Sequence, residues 1–292
     1  MNNRYASIFR EGLFADKTII VTGGGSGIGR CTAHELASLG AKVIVLGRKQ
    51  EKLDAVVAEI HEDGGLAEAH VCDIREESAV QSVVKTIVAQ HPVIHGLVNN
   101  AGGQFPAPLT AINQKGWETV VRTNLTGGFM MAKEVYLQSM SKHGGAIVNI
   151  VADMWGGMPG MGHSGAARSG MVNFTQTAAF EWGAAGVRVN AVAPGWIASS
   201  GMDNYPPTMK PMIRQLRDAV PLKRMGTEAE VSGAICFLLS EAASFISGDC
   251  LRIDGAASQG NRVWPLPKAN HSESFDGFHR STIPAVLRDL DD

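Results

Sequence analysis

The sequence has few cysteines, little net charge and no long apolar run. Its 292 residues include only four cysteines, which lie far apart and form no CxxC pair: Cys31, Cys72, Cys236 and Cys250. This usage argues against a disulfide framework and a zinc site, and it predicts reduced thiols in a cytoplasmic protein. Lys plus Arg number 26 against 28 Asp plus Glu, and the net charge of −2 argues against nucleic acid as the main partner.

Membrane-directed patterns are missing as well. No uncharged stretch approaches the roughly 18 apolar residues that a membrane-spanning helix requires. Arg10 and Glu11 interrupt the first residues, where a signal peptide would need an unbroken apolar run. The sequence Leu290-Asp291-Asp292 at the other end is not a peroxisomal tripeptide. We therefore expect a cytoplasmic protein that binds a small molecule, without a membrane or nucleic-acid partner.

Strands and helices alternate along most of the chain. Short apolar runs predict strands, and apolar positions three or four residues apart predict helices. The predicted strands are 17–22, 41–47, 67–73, 94–103, 145–152, 187–195 and 249–255. The predicted helices are a first one ending near Leu39, then 50–60, 80–88, 117–140, 167–182 and 228–239. This order predicts a single-domain α/β fold, a doubly wound parallel sheet with helices on both faces.

The predicted domain covers 1–260 and is followed by an irregular C-terminal extension, 261–292. A Pro- and Met-rich stretch follows the sixth strand, and we place a substrate loop at about 196–220. The extension is polar, contains three prolines and shows no clear period. It is therefore either a strap over a neighbouring surface or a partly disordered tail.

The turn after the first strand predicts a dinucleotide site. It fits the pattern TGxxxGxG through Gly23, Gly27 and Gly29. Glycines permit positive φ and close approach of phosphate, and the following helix N-terminus favours a pyrophosphate. The alternative is a tight turn without a ligand, but five glycines in seven positions favour a cofactor. The residues assigned to the cofactor here are Thr22, Gly23, Gly25, Ser26, Gly27, Ile28 and Gly29.

The end of the second strand indicates which dinucleotide is bound. Arg48 and Lys49 stand there, roughly 20 residues after the last glycine, where an NAD enzyme usually has an acid for the ribose hydroxyl. Two cations in place of the acid favour NADP(H), although a solvated charge pair is the alternative. Asp73, with Ile74 beside it, is assigned to the adenine amino group, or alternatively Asp73 is the N-cap of the next helix.

Six short strings make the chain resemble the short-chain dehydrogenase/reductase family over about 17–255. They are TGGGSGIG (22–29), VCDI (71–74), NNAGG (99–103), TNLTG (123–127), IVNI (147–150) and RVNAVAPGWI (188–197). The resemblance implies that Asn99 and Ala101, with Gly102, flank the cofactor ribose, and that Asn124 positions the catalytic lysine's water chain. It also implies that Pro194, Gly195 and Ile197 hold the nicotinamide carboxamide, and that the protein is a homodimer or homotetramer.

The catalytic Tyr-x-x-x-Lys of that family is absent. Four residues after each of the three tyrosines comes Phe9, Met140 or Met209. Ser164 stands where the resemblance places the tyrosine, and Arg168 where it places the lysine. Their i, i+4 spacing still puts both on one helix face. The family's usual serine after IVNI is missing too, because Val151-Ala152-Asp153 occupies that stretch.

This change of side chains favours different chemistry. A serine is a poor acid at neutral pH, and an arginine remains protonated, so it anchors hydroxyls or an oxyanion but cannot shuttle a proton. A cation and a hydroxyl suit hydride addition to a conjugated C=C bond, where charge builds on a thioester enolate. HSGAARSG and NNAGGQF also resemble the trans-2-enoyl-CoA and 2,4-dienoyl-CoA reductase branch, which uses NADPH. The aromatic acid of that branch has no counterpart, since Val172 lies in that part of the helix.

Several groups are candidate donors, each with an alternative. His163 is either a proton donor or a neighbour of the N-cap that faces solvent or core. Asp153 is either a general acid or the partner of a nearby cation, and Ser164 is either an oxyanion donor or a helix N-cap. Tyr205, in the substrate loop, is a weaker acid candidate. An apolar mouth, or ordinary core, is indicated by Met154, Trp155, Met158, Met161 and Met202.

The sequence thus predicts an NADPH-dependent reductase of an enoyl-CoA-type double bond with an apolar or acyl-CoA substrate. Its central hypothesis is that hydride delivery was retained while the family's phenolic proton source was lost. A dehydrogenase of an apolar alcohol, aldehyde or ketone, such as a terpenoid, is the first alternative. A catalytically silent nucleotide-binding protein is the second.

Overall fold

Seven strands and the helices between them build the fold. The computed structural model describes residues 4–259, 267 and 271–288. The strands are β1 (Thr18–Thr22), β2 (Lys42–Gly47), β3 (Leu66–Val71), β4 (Gly96–Asn99), β5 (Gly145–Ile150), β6 (Val187–Pro194) and β7 (Cys250–Ile253). They pair in parallel in the order β3-β2-β1-β4-β5-β6-β7. The predicted doubly wound parallel sheet is therefore confirmed.

The helices cover both faces of this sheet. They are α1 (Gly27–Ser38), α2 (Gln50–Glu62), α3 (Glu77–Gln90), α4 (Gln114–Val121), α5 (Gly127–Val135), α6 (Ser141–His143), α7 (Gly162–Trp182), α8 (Lys210–Ala219) and α9 (Glu228–Leu239). One apolar core lies between the sheet and α1, α2 and α9, and a second lies between the sheet and α3, α5 and α7. Strands buried on both faces explain why their sequences are uniformly apolar.

The helical run from α4 to α6 is continuous and is longer than the predicted 117–140. It begins after Asn113, whose side chain accepts a hydrogen bond from the Gly116 amide. Two π-helical segments, Arg122–Thr126 and Tyr136–Met140, join α4 to α5 and α5 to α6. Such segments often occur at functional sites, because they shift the register of the side chains that follow.

Three strands end earlier or start later than predicted, and one helix was not predicted. The third strand stops at Val71, so that Asp73 lies beyond it, while β4 and β7 are shorter than the apolar runs that contain them. Helix α8 lies inside the stretch that was predicted to be an irregular substrate loop. Pro211 in its first turn is compatible with a helix start, where the missing amide has no partner to lose.

Part of the C-terminal extension crosses the outer surface of the domain. The Phe278 side chain is buried and stacks on the Tyr5 ring at 5.7 Å, and Arg280 binds the Asp63 carboxylate at 2.8 Å. Further on, the amides of Ala285 and Val286 donate to Asp203 in the substrate loop. Residues 271–288 therefore run as an ordered strap, whereas 261–266, 268–270 and 289–292 lie outside the described residues.

A helix that crosses a membrane must be both long and apolar. Within residues 4–259, 267 and 271–288, no helix combines the length and the apolar character needed to cross a bilayer.

Candidate active site

The glycine turn between β1 and α1 combines tight packing with one open position. A Cβ on Gly29 would lie 2.3 Å from Asn100 Nδ2 and 2.5 Å from the Gly23 carbonyl oxygen, so only glycine fits there. Gly27 has φ +58, but a Cβ there would meet nothing closer than Glu228 Oε1 at 3.8 Å. Ser26, the N-cap of α1, makes no side-chain capping bond. The start of α1 therefore has no side-chain cap and leaves room beside Gly27, which suits an anion.

Asn100, which was not assigned from the sequence, ties this turn to the end of β4. Its Nδ2 donates to the carbonyl oxygens of Thr22 and Gly23, at 2.9 and 3.2 Å. Thr22 Oγ1 accepts from the amides of Asn100 and Ala101 at 3.0 and 2.9 Å and donates to Val98 O. These bonds fix the two glycine-containing turns at the switch point between β1 and β4, where doubly wound sheets bind ligands.

Asn99 lies below that surface rather than at it. The side chain is buried, and its Nδ2 donates to Asn149 Oδ1 at 2.9 Å and to Gly128 O at 3.1 Å. Asn99 Oδ1 has no hydrogen-bond partner among the described residues. The structure therefore gives Asn99 a supporting place between β4, β5 and α5, and its predicted contact with ribose stays a prediction.

Asn124 lies in the first π-helical segment, and its side-chain amide bonds to both the N–H and the carbonyl group of one glycine. Its Oδ1 accepts from the Gly103 amide at 2.9 Å, and its Nδ2 donates to the Gly103 carbonyl at 2.8 Å. This paired contact fixes the loop that carries Ala101 and Gly102. The structure thus brings Asn124 beside the predicted ribose-flanking residues, as a brace for their backbone.

Arg168 reaches the same loop from α7. Its Nη1 donates to the Ile150 carbonyl at 2.5 Å, and its Nη2 lies 2.7 Å from the place a Cβ on Gly102 would take. Arg168 Nε is buried and has no partner among the described residues. Burial lowers the pKa of Arg168 to about 10, so the side chain remains a cation at neutral pH. A half-buried cation with an unused Nε donor, and with its Nη2 next to a glycine, is suited to ribose hydroxyls or to an oxyanion.

Ser164 and His163 are buried in the first turn of α7. The N-cap of that helix is Met161, so the alternative that Ser164 is the N-cap is wrong. Ser164 Oγ donates to Gln104 Oε1 at 2.6 Å, and the Ser164 amide donates to His163 Nδ1 at 2.9 Å. His163 Nε2 has no partner within the described part of the chain, and the ring packs edge-on against Phe105 at 4.5 Å. His163 is fully buried, which excludes the alternative that it faces solvent.

The cationic end of β2 lies next to the predicted adenine end of the site. Arg48 and Lys49 are exposed between β2 and α2. Asp73 accepts from Arg75 Nη2 at 2.5 Å, and this bond holds the pKa of Asp73 below its usual range, with a smaller contribution from the nearby Arg48. The alternative role of Asp73 as an N-cap is wrong, because α3 is capped by Glu76.

The residues after β6 are held against β7 and α9. Gly195 N donates to the Ile253 carbonyl at 3.0 Å, and a Cβ on Gly195 would lie 2.8 Å from Asp254 Cβ. Ile197 is buried and pairs with Gly226. The Asp153 amide donates to the Pro194 carbonyl at 3.1 Å, which joins the segment after β5 to the predicted carboxamide site. The predicted residues from β5 and β6 are therefore neighbours.

The predicted apolar mouth is only partly formed by the expected side chains. The Trp155 ring lies under the Arg252 guanidinium at 3.9 Å and is 39% exposed. Met202 instead packs into an apolar cluster with Ile213 of α8 and Val286 of the strap. The structure therefore fits the alternative of ordinary core for Met202, because α8, which was not predicted from the sequence, provides an apolar face that buries it.

A nicotinamide dinucleotide fits the residues that are present. The open φ-positive Gly27 and the uncapped start of α1 suit its pyrophosphate, and the unpartnered Arg168 Nε suits hydroxyls at the other end. When bound, such a cofactor supplies or accepts a hydride. The chain's own contribution is to hold it between the turns after β1 and β4.

Glu228, at the start of α9, places a carboxyl group beside this turn and titrates abnormally. Burial raises its pKa from 4.5 to about 7, with Asp276 raising it further and Arg30 opposing the rise. The folded protein thus binds this proton more tightly than the unfolded chain, so stability falls as the pH rises from 4.5 and levels off above about 7.

Glu228→Gln should therefore gain stability over the wild type between pH 5 and pH 8, by on the order of 1 kcal/mol. Urea unfolding at the two pH values measures this difference. Glu51→Gln, on the exposed face of α2, is the control and should show no such gain. A Glu228→Gln advantage that is equal at pH 5 and pH 8 would contradict the assignment.

Known proteins share this fold and these motifs. The family model described as enoyl-(acyl carrier protein) reductase matches residues 23–258. A probable 2,4-dienoyl-CoA reductase of Bacillus subtilis is 37% identical over 82% of this chain and 95% of that protein. A 3-oxoacyl-[acyl-carrier-protein] reductase of Synechocystis is 38% identical over 81% of this chain and 94% of that protein.

One solved structure is more similar in sequence. It is described as a citronellol catabolism dehydrogenase (AtuB) and comes from Pseudomonas aeruginosa. It is 65% identical, covers 87% of this chain and 100% of its own, and superposes with a TM-score of 0.80. Together with the family match and the sheet order, these similarities show that the chain belongs to the short-chain dehydrogenase/reductase family and is an oxidoreductase of that type.

Proposed function

We propose that the protein reduces the C=C bond of an enoyl-CoA-type thioester with NADPH. One observation carries the proposal. On α7, the buried Ser164 hydroxyl and the half-buried Arg168 cation lie one helical turn apart, where the family resemblance expects a phenol and an amine. Arg168 cannot shuttle protons, but a fixed cation and hydrogen-bond donors stabilise the charge of an enolate.

The chain's own residues divide the work in this proposal. Arg168, with the loop braced by Asn124, holds the nicotinamide half and keeps a cation near the reacting carbons. His163, whose Nε2 has no partner among the described residues, lies beside it as a donor to the thioester oxygen, where charge develops, and the Ser164 hydroxyl donates to Gln104. The Bacillus subtilis relative, described as a probable 2,4-dienoyl-CoA reductase, supports an acyl-CoA substrate.

A second candidate is dehydrogenation of an apolar alcohol or aldehyde. The 65% identical Pseudomonas aeruginosa protein favours it, since that protein is described as a citronellol catabolism dehydrogenase. The residues of α7 weigh against it, because an alkoxide needs a strong proton partner and Ser164 is a weak one. The third candidate is a nucleotide-binding protein without activity. Lack of turnover with both thioesters and citronellal would favour it.

Parallel assays separate these candidates. NADPH oxidation is followed with crotonyl-CoA, 2,4-hexadienoyl-CoA and citronellal, each over a range of concentrations. The proposal expects turnover of at least one thioester with a kcat/KM at least about 10-fold above that for citronellal. Turnover of citronellal alone would overturn the proposal and favour the alcohol dehydrogenase.

We also propose that Arg48 selects NADPH by pairing with its 2′-phosphate. Arg48→Ser should raise the KM for NADPH about 10-fold or more and leave the KM for NADH unchanged within about 2-fold, because one charge-assisted contact contributes about 1.5–3 kcal/mol. Lys85→Ser, on the exposed side of α3, is the matched loss of a cation and should change neither value. An equal rise in both KM values for Arg48→Ser would contradict the role.

We further propose a cytoplasmic homodimer or homotetramer. Phe180 on α7 is 91% exposed and Phe245, just before β7, is fully exposed. Large aromatic side chains on the surface of a single chain favour burial against a second copy.

A further inference from the structure

The three tyrosines lie in three different surroundings, and one of them reaches Ser164. Tyr5 is buried beside Cys31 and Glu35, and the Tyr136 ring stacks on Trp182 at 4.4 Å. Tyr205 belongs to the substrate loop, and its hydroxyl accepts a hydrogen bond from Gln104 Nε2 at 3.2 Å. Gln104 Oε1 in turn accepts from Ser164 Oγ at 2.6 Å. One amide group therefore separates the Ser164 hydroxyl from a phenol.

This chain of hydrogen bonds has a direction. The Ser164 proton goes to Gln104 Oε1, and the Gln104 Nε2 proton goes to the phenol oxygen. The phenol's own proton points to Met161 Sδ at 4.0 Å, and a thioether is a weak acceptor. The phenol oxygen thus accepts from Gln104, which in turn accepts from Ser164, while the phenol's own proton has no strong acceptor in this arrangement.

An apolar cluster packs against the Tyr205 side chain and fixes its position. The side chain packs with Trp196, Met202 and Ile213 in the cluster that the strap closes. Val286 of the strap is buried in that cluster, and its amide donates to Asp203 at 3.1 Å. The phenol itself is only half-buried, so that water can return a proton to it. The position of the Tyr205 hydroxyl, the direction of the hydrogen bonds that reach it and its partial exposure to water all fit a proton donor.

We propose that Tyr205, arriving from the substrate loop instead of from α7, is the acid of the reaction, and that Gln104 is its positioning residue. This inference rests on the proposed reduction. A bound reduced nicotinamide would supply the hydride for a C–H bond at the β-carbon, and the π electrons would move to the thioester oxygen as an enolate. The Tyr205 proton then passes to the α-carbon as the carbonyl forms again. The phenolate that remains accepts from Gln104 and regains its proton from water.

Tyr205→Phe tests the acid directly, with Tyr136→Phe as the matched loss of a hydroxyl elsewhere. Tyr205→Phe should lower kcat about 100-fold with crotonyl-CoA, since general acids contribute about 10²–10⁴-fold, and it should change KM less than about 3-fold. Tyr136→Phe should leave kcat within about 2-fold, because the stack on Trp182 is kept. A Tyr205→Phe rate equal to that of the wild type overturns the inference.

Gln104 needs a measurement that a merely structural residue would not change. Gln104→Glu keeps an acceptor for Ser164 but places a carboxylate beside the phenol, which disfavours the phenolate. The alkaline limb of the kcat–pH profile should therefore move upward, whereas Gln104→Leu, which removes the donor without adding a charge, should lower kcat about 10-fold with a smaller shift. An unshifted profile for Gln104→Glu contradicts the positioning role.

A readout without turnover uses acetoacetyl-CoA, whose enolate has a distinct ultraviolet absorbance. With no cofactor present, the wild type and Tyr136→Phe should bind this probe partly as the enolate, and Tyr205→Phe should lose most of that absorbance. If the proposed function is wrong, the wild type itself does not turn over a thioester. If only the role of Tyr205 is wrong, the wild type turns over the thioester and Tyr205→Phe does so equally well. If only citronellal is reduced, the same variants are compared on that reaction, and an unimpaired Tyr205→Phe again overturns the inference.

Discussion

Arg168→Met is expected to lower kcat/KM for thioester reduction by about 10²–10³-fold, the usual effect of removing a donor that stabilises developing charge. The Arg168 cation is half-buried, its Nη1 donates to a backbone carbonyl, and its buried Nε is left without a partner among the described residues. Methionine fills a similar volume without the charge. The loss should therefore appear in cofactor affinity and in kcat together.

The fold should withstand this change. Arg168→Met removes one hydrogen bond to Ile150, which is worth about 1 kcal/mol, and also removes the cost of burying an unpaired donor. Arg168→Lys keeps the charge and should recover a large part of the activity. Arg122→Met, at an exposed ion pair with Glu76, is the control. A fully active Arg168→Met enzyme would contradict the assigned role. A variant whose loss of activity is fully explained by the fraction of protein that is unfolded would contradict it as well.

Alanine at two glycines of the dinucleotide turn should have opposite effects on stability and cofactor binding. Gly29→Ala puts a methyl group 2.5 Å from the Gly23 carbonyl, so the strand and helix must move apart, at a cost of about 2–3 kcal/mol of unfolding free energy. The methyl group of Gly27→Ala would enter open space, so the substitution should lower the unfolding free energy only through its positive φ, by about 1 kcal/mol. Its methyl group would stand where the pyrophosphate approaches.

Urea unfolding and fluorescence titration with NADPH measure the two effects. Gly27→Ala should weaken NADPH binding at least about 10-fold while unfolding close to the wild type. Gly29→Ala should unfold at a markedly lower urea concentration. Unchanged NADPH affinity in a folded Gly27→Ala protein would show that the open position is not the phosphate site.

The sheet and the glycine turn could be predicted because each is encoded locally. A strand buried on both faces is apolar throughout, and a turn with positive φ selects glycine, so β1, β2 and the Gly23–Gly29 turn were predictable. The exchange of Tyr-x-x-x-Lys for Ser164 and Arg168 was visible for the same reason, since i, i+4 spacing on α7 fixes their common face.

The contacts between distant segments could not be predicted in this way. Gln104 and Tyr205 lie far apart in the chain and meet only because the loop after β4 and the loop after β6 end at the same edge of the sheet. Helix α8 was missed although Met209, Ile213 and Leu216 recur at helical spacing, because the Pro- and Met-rich composition around it favoured a loop; Val286 of the strap completes the cluster that these side chains form. The N-cap alternatives for Ser164 and Asp73 were wrong because a helix start depends on the preceding loop, which placed Met161 and Glu76 at the N-cap positions.

The central hypothesis also changes in one respect. The family's tyrosine is absent from α7, as the sequence indicates, but the structure brings the Tyr205 phenol to Ser164 through Gln104. Retained hydride delivery and a relocated proton source are compatible, and the sequence alone left Tyr205 as a weaker acid candidate.

The destination of the hydride tests the account most directly. Deuterated NADPH, labelled at the transferable position of the nicotinamide, is incubated with crotonyl-CoA and citronellal together, and both products are analysed by mass spectrometry. We expect deuterium on the β-carbon of butyryl-CoA and none in citronellol. Deuterium on the carbinol carbon of citronellol, with crotonyl-CoA left unchanged, would contradict the account.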